Sequence, residues 1–296
     1  MSLAQHDTIH PQLILGDALP AAIESSGNAQ HLYVSLSDII LDSLFYHPSI
    51  EQHFANLTEL EQGSLQSILD DKAVVEHFTS TIVDRVVAAV QKNHTTIRVC
   101  LSDADSYTYK ALIGGSVETD EINPAMGVRG VSRFSSNQYA KAFSYECAVI
   151  KALRKQGLNI EIVVPFVRTL SDAATIIDRL AEQSLPRSLD GLKVLYSCDV
   201  PSAALLAERL MHYFDGVVIN IDNLTQYTLG IDKENPELSH LFNPESEAVI
   251  TLLDLASKAA RHANKPILVV TQALASYPKL QEHLAESVQA DVVVKM

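Results

Sequence analysis

Short runs of β-branched and apolar residues alternate along the chain with longer segments whose apolar positions follow a helical period. The short runs predict strands at His31–Ser35, Thr96–Leu101, a brief one near Val128, Ile160–Pro165, Lys193–Cys198, Gly216–Asn220, Ile267–Val270 and Asp291–Val294. Between them the pattern predicts helices, among them Ser135–Gln156, Ser171–Gln183, Ser202–Tyr213 and Ser246–Ala263. Strands separated by helices favour a parallel sheet. Eight of them in 296 residues fit an α/β fold of the (β/α)8 TIM-barrel type. A doubly wound sheet is the rival from pattern alone. It calls for a Gly-rich first βα turn, whereas Gly114-Gly115 is a lone pair that reads as a turn.

Two departures from an ideal barrel are expected. Residues 49–91 form a helical insertion between the first two predicted strands, and the sequence stops directly after the last one, leaving no eighth helix. The N-terminal segment or a neighbouring subunit is expected to cover that gap. Residues 1–296 read as one barrel domain.

Composition narrows the classes. At 47% hydrophobic the chain can build a sizeable core, yet it has no apolar run of 18 residues, so no membrane span is expected. The N-terminus lacks a basic segment followed by an apolar run, which argues against a secretion signal. Cys100, Cys147 and Cys198 lie far apart without metal-type spacing and are expected to be reduced thiols of a cytoplasmic protein. Cys147 and Cys198 read as small buried hydrophobes. A net charge of −14, spread along the sequence, disfavours nucleic acid and requires a locally basic pocket for any anionic ligand. The histidines are scattered, and the nearest pair, His6 and His10, reads as functionally silent.

In barrels the functional side chains sit at the carboxyl ends of the strands. Arg129 follows the third predicted strand, Arg168 the fourth, Asp199 the fifth, Asp222 and Asn223 the sixth, and Thr271-Gln272 the seventh. This convergent polar ring is the pocket expected from the residues alone. Within it Arg129 is the anion-binding candidate, because the planar guanidinium bonds phosphate or carboxylate at two points. Pro124, Gly127 and Gly130 either shape its loop or contact a ligand. Arg168 and Arg133 serve equally well as partners of surface carboxylates. Asp215 and Asp232 read as turn or cap residues, and Tyr107 and Tyr109 as half-buried surface.

Several motifs carry a resemblance when taken in order. They are Asn123-Pro-Ala-Met-Gly-Val-Arg-Gly130, Pro165-Phe-Val-Arg-Thr169, Pro201-Ser-Ala-Ala-Leu-Leu-Ala-Glu208, Tyr213-Phe-Asp-Gly216 and Leu224-Thr-Gln-Tyr-Thr-Leu-Gly-Ile-Asp232. Over residues 31–296 the chain resembles the C-terminal, phosphoenolpyruvate (PEP)- and pyruvate-binding barrel of PEP synthase and related PEP-utilising enzymes. In that family the barrel exchanges a phosphoryl group between pyruvate and a phosphohistidine on a separate domain, which a further domain charges from ATP. Neither companion domain is expected within these 296 residues, and no phosphate-cradling Gly-rich loop marks an ATP site in them.

The resemblance implies two PEP-clamping arginines, and Arg129 matches one. The other falls on Cys100; Arg98 is displaced toward the start of the strand by about 6–7 Å, away from the mouth. A Mg²⁺ site is implied on a glutamate and an aspartate, which here are Asp199 and Asn223. Asp222 carries the neighbouring carboxylate in reversed order, and a rebuilt Mg²⁺ site on Asp199 and Asp222 is the alternative. If residues 222 and 223 are extended, their side chains face opposite ways. The implied proton donor, a cysteine, falls on Val270; Thr271 beside it is a poor acid. Gln272 completes the set of substrate-binding candidates with Arg129, Asp222 and Arg168.

The expectation is a PEP/pyruvate-type barrel that has lost its catalytic groups and retains a binding or interaction role. A metal-dependent enzyme acting on a 2-oxo acid through Asp199 and Asp222 is the alternative. A small anionic metabolite is the expected ligand, a homodimer the expected assembly, and neither nucleic acid nor membrane an expected partner.

Overall fold

A computed structural model of the chain describes residues 9–20, 28–272 and 274–296. Its centre is a closed barrel of eight parallel strands in sequential order: β1 (Leu15–Leu19), β2 (His31–Ser35), β3 (Thr96–Cys100), β4 (Ile160–Val164), β5 (Lys193–Cys198), β6 (Val217–Asn220), β7 (Ile267–Thr271) and β8 (Val292–Lys295). Registers such as Arg98 opposite Glu161 and Val270 opposite Val294 run parallel throughout, and β1 closes the ring against β8 through Leu15 and Val293.

The strand count agrees with the sequence pattern, but one strand was misplaced. Residues near Val128 form a loop between a 3-10 turn at Pro124–Met126 and a short helix. The remaining strand is Leu15–Leu19, drawn from the N-terminal segment. Its burial is mostly partial, so it lacks the apolar run that marks the others. The helical insertion consequently lies between β2 and β3 rather than between the first two strands. His10 donates its backbone N–H to Gln281 at 2.7 Å, tying the chain ahead of β1 to the body; His6 falls outside the described residues.

The helices are α1 (Leu36–Ser43), α2 (Glu59–Leu69), α3 (Val74–Ala89), α4 (Ser106–Tyr109), α5 (Val131–Phe134), α6 (Ala140–Lys155), α7 (Leu170–Glu182), α8 (Pro201–Leu205), α9 (Ala207–Leu210), α10 (Ile221–Leu229), α11 (Glu247–His262) and α12 (Pro278–His283). α8 and α9 replace the single helix read from Ser202–Tyr213. α2 opens on a capping box in which Thr58 and Glu61 satisfy each other's backbone N–H groups. Among the described residues no helix is long and apolar enough to cross a membrane.

Strand alternation produces two cores. Outward residues such as Val34, Val99, Ile162 and Val269 pack under the helices. Inward residues fill the lumen: Tyr33, Cys100, Val163, Leu195, Val218, Leu268, Val270, Val292 and Val294. Branched aliphatic side chains dominate that filling, as barrel interiors require. Below it, on the inward faces of β3 and β4, Arg98 pairs with Glu161 at 2.8 Å and with His31 Nδ1 at 2.9 Å. That buried pair confirms that Arg98 points into the barrel floor.

Candidate functional site

A cavity of about 650 Å³ opens at the carboxyl ends of the strands. Tyr33, Val270 and Met296, which belong to the lumen core, also line it. Ser35 and Asn220 enter from strand ends, Asp103 and Arg129 from the long β3–β4 connection, and Asp222, Asn223 and Gln226 from the start of α10. A smaller cavity of about 260 Å³ adjoins it, sharing Asp222, Lys233, Glu234 and Gln272 and reaching Phe242 and Tyr277.

Arg129 reaches this cavity, but protein acceptors hold most of its guanidinium. Nε donates to the Asp103 carbonyl at 2.8 Å, and Nη1 donates to the Ala125 carbonyl at 3.2 Å and to Tyr227 Oη at 2.9 Å. The group lies 4.1 Å above the Phe166 ring, which Tyr227 meets edge-on. Arg168 is not among the lining residues. Its Nη1 and Nη2 donate to the carbonyls of Arg129 and Gly127 at 3.1 and 3.3 Å, so it fastens the loop from behind. Gly130 is required there: its φ is +54°, and an added Cβ would run into the Pro165 carbonyl. Gly127 likewise has its Cβ position filled by the Glu121 carboxylate. The loop-shaping reading of both glycines therefore has a direct steric basis.

Asp222 and Asn223 do not lie in extended chain. β6 runs straight into α10, where Asn220 caps the helix by accepting the Asn223 N–H at 3.0 Å. Adjacent helical side chains diverge by about 100°, so the two residues turn to different neighbours. Asp222 accepts from Thr271 Oγ1 at 3.1 Å and from the Gln272 N–H at 2.8 Å. Asn223 donates its amide to Asp199 Oδ1 at 2.8 Å, while Asp199 Oδ2 accepts the Phe166 N–H at 2.9 Å. Burial raises the carboxyls of Asp199 and Asp222 above the usual range, partly offset by these donors.

This donor set does not fit Mg²⁺, which takes several hard oxygens converging in octahedral geometry. Both Asp199 oxygens face N–H groups, Asn223 turns a nitrogen to that carboxylate, and Asp222 faces the end of β7. Among the described residues no three His, Cys, Asp or Glu side chains are grouped to hold a metal ion.

Val270 sits on the cavity floor with no titratable group, and the Thr271 hydroxyl is turned to Asp222. Cys100 is buried in the lumen beside Tyr33, and burial pushes its thiol far up. Gln272 stands on the wall between the two cavities.

Sequence reasoning missed the polar core behind the mouth. Arg133 is buried and makes a two-point ion pair with Glu118, which also accepts from Tyr139 Oη at 2.6 Å and meets His47 Nε2 at 2.7 Å. Arg133 lies 3.7 Å over Tyr139 and 4.5 Å over Tyr109. Tyr109 is thus fully buried while Tyr107 stands 76% exposed, so the pair does not share one half-buried surface. Burial alone would raise the Glu118 carboxyl, but hydrogen bonds from His47, Arg133 and Tyr139 together with the Arg133 charge bring it down to about 2. Glu146 on α6 was also unforeseen; burial pushes it up to about 7 although it accepts the Ser102 N–H at 2.9 Å. Nothing in a single sequence separates these acids from the many surface ones.

Asp215 is a turn anchor, accepting the Val194 N–H at 3.0 Å, and Asp232 accepts the Glu234 N–H at 3.0 Å. Cys147 and Cys198 are buried.

Comparison with known proteins places this arrangement. The family model described as PEP-utilising enzyme, PEP-binding domain, matches residues 57–290. The chain is 36% identical over 258 residues to the phosphoenolpyruvate synthase of Pseudomonas aeruginosa, covering 85% of this chain and 32% of that protein. It is 38% identical over 206 residues to that of Escherichia coli, covering 67% and 26%. With the phosphoenolpyruvate synthase of Helicobacter pylori it shares 35% over 257 residues, covering 84% and 31%. The chain thus spans about a third or less of the length of these curated relatives. By a match over most of its length, this chain belongs to the PEP-binding domain family of the PEP-utilising enzymes.

Proposed function

We propose that this barrel keeps the PEP-utilising scaffold for a binding or interaction role at its mouth and does not perform PEP–pyruvate phosphoryl exchange. The observation that carries the reading is that Arg129 and Asp199 are largely taken up by neighbouring protein groups. Arg129 Nε and Nη1 are committed to loop carbonyls and Tyr227, and Asp199 is committed to Phe166 and Asn223. Phosphoryl exchange needs cationic donors free to follow charge onto the reacting oxygens. Forming or protonating an enolate further needs an acid beside the methylene carbon. Val270 supplies none on the cavity floor.

Calorimetry with PEP, pyruvate and oxalate, with and without Mg²⁺, tests this. Weak binding indifferent to Mg²⁺ is expected; Mg²⁺-dependent micromolar binding of oxalate sinks the reading. A homodimer remains part of the proposal, and a monomer by light scattering removes it.

A second reading draws on Asp222, a buried carboxyl on the cavity wall that burial holds above its usual range. Such a group is a candidate base for enolate chemistry on a 2-oxo acid. Exchange of the pyruvate methyl protons, followed by NMR with divalent metals, decides it: exchange at the background rate ends this alternative.

A further inference from the structure

Three large apolar side chains stand in solvent at the edge of the mouth: Tyr107 at 76%, Ile122 at 97% and Met126 at 69% exposure. All three belong to the β3–β4 connection, and Glu121 pins that region together. Its Oε2 accepts from Ser106 Oγ at 2.6 Å and its Oε1 from the Val128 N–H at 2.9 Å, binding the segment that carries Tyr107 to the one that carries Ile122 and Met126. Tyr107 and Ala125 also line the large cavity, so rim and cavity are continuous. Apolar groups held in water by a fixed loop beside a concave polar site are the pattern of an interaction surface.

The cavity has a definite sign. Six carboxylates line it, those of Asp38, Asp103, Asp105, Asp222, Asp232 and Glu234, against the cations of Arg129 and Lys233. Arg129 is bound mainly to protein oxygens. An anion is repelled by such a wall, and among the described residues the acids are not grouped to chelate a metal. Charge complementarity therefore calls for ammonium or guanidinium groups. The apolar rim calls for hydrophobic groups beside them, and the adjoining cavity extends the groove to Phe242 and Tyr277.

We propose that the mouth and its rim are a docking surface for a basic segment of another protein. Lysine or arginine side chains enter the acidic cavity, and flanking apolar residues cover Tyr107, Ile122 and Met126. This rests on the reading that the site no longer serves anionic PEP.

The test is fluorescence anisotropy of the full chain with a twelve-residue peptide of alternating lysine and leucine, run beside a glutamate-for-lysine version, a serine-for-leucine version and free spermidine. Binding is expected for the first peptide only. The double variant Asp232→Asn/Glu234→Gln is expected to weaken it about tenfold, and Ile122→Ser/Met126→Ser at least about fivefold. The control Glu76→Gln/Asp84→Asn, on the exposed face of α3, is expected to leave it unchanged.

Equal loss in the control, spermidine binding as tightly as the peptide, or displacement of the peptide by equimolar Mg²⁺ each overturns the proposal. So does dimerisation through this face, seen as a dimer that Ile122→Ser/Met126→Ser dissociates. The oxalate titration separates the two failures: Mg²⁺-dependent oxalate binding removes the functional reading, whereas absent peptide binding without oxalate binding removes docking alone.

Discussion

Replacing Glu146 by glutamine is expected to stabilise the protein, and to do so only above mildly acidic pH. Glu146 is 2% exposed, and its carboxyl is pushed up to about 7 by burial, with the nearby Asp103 charge adding to the effect. The Ser102 hydrogen bonds and the Arg133 charge oppose the rise without cancelling it. An acid whose folded pKa lies above its unfolded value of 4.5 costs nothing below the unfolded pKa. The cost grows as pH rises from there to the folded pKa and is constant above it. Linkage over that interval gives a penalty of about 3 kcal/mol at pH 8 and below about 1 kcal/mol at pH 5. Glutamine has the same shape, and its carbonyl can accept the Ser102 N–H as Glu146 does. Urea unfolding of both proteins between pH 5 and 8 checks this. The variant should be more stable by about 2–3 kcal/mol at pH 8, with the two proteins converging toward pH 5. A gap independent of pH, or a variant weaker throughout, refutes the assignment of Glu146 as a destabilising buried acid.

Glu118 behaves in the opposite sense. Its folded pKa of about 2 lies below the unfolded 4.5, so its contribution is present above pH 4.5 and is lost as pH falls toward 2. Glu118→Gln should cost about 3 kcal/mol at pH 7, less as the medium is acidified, measured by urea unfolding of variant and parent. Gly130→Ala should cost about 2 kcal/mol or more, because a side chain at positive φ also meets the Pro165 carbonyl; the fall in Tm reads it. The double exchange Asp222→Asn/Asn223→Asp places a carboxylate against Asp199. It should make Tm respond to Mg²⁺, by about 1.4 kcal/mol at ten times the Kd, where the parent shows no response. An equal response in both proteins would count against the present account of the mouth.

The barrel was legible because its strands are buried on both faces and so read as short continuous apolar runs. Leu15–Leu19 escaped for the same reason: its exposed and half-buried residues leave no such run, and only pairing with β2 and β8 makes it a strand. The Val128 stretch imitates a strand locally, but Gly127 and Gly130 around it stand where an added side chain would meet Glu121 and Pro165. Positions at strand ends were equally legible for Asp199, Asp222 and Gln272, whereas Arg129 reaches the mouth from the β3–β4 connection and not from the end of a strand near Val128. Their directions were not. Asp222 and Asn223 do diverge, but at the start of a helix rather than in extended chain. Arg168 was placed in the ring by chain position, yet it turns back to hold the Gly127–Arg129 carbonyls.

The same contacts account for the charge that faces the cavity. A barrel mouth built for an anion needs cations that its own loops leave unsatisfied; here loop carbonyls engage Arg168, and loop carbonyls with Tyr227 engage two of the three nitrogens of Arg129. Arg168 and Arg129 clamp the β3–β4 connection onto Phe166, and Arg133 is withdrawn into the pair with Glu118. Each arginine stabilises the loop in proportion as it is lost to a ligand, so loop order and anion affinity oppose one another at this site. What remains facing the cavity is the carboxylate excess of Asp38, Asp103, Asp105, Asp222, Asp232 and Glu234. On the docking proposal, a wall of that sign would draw a basic segment, and the rim of Tyr107, Ile122 and Met126 would add apolar area that a charged small molecule would not use. Order of the connection and the carboxylate excess facing the cavity are thus two consequences of one set of arginine contacts.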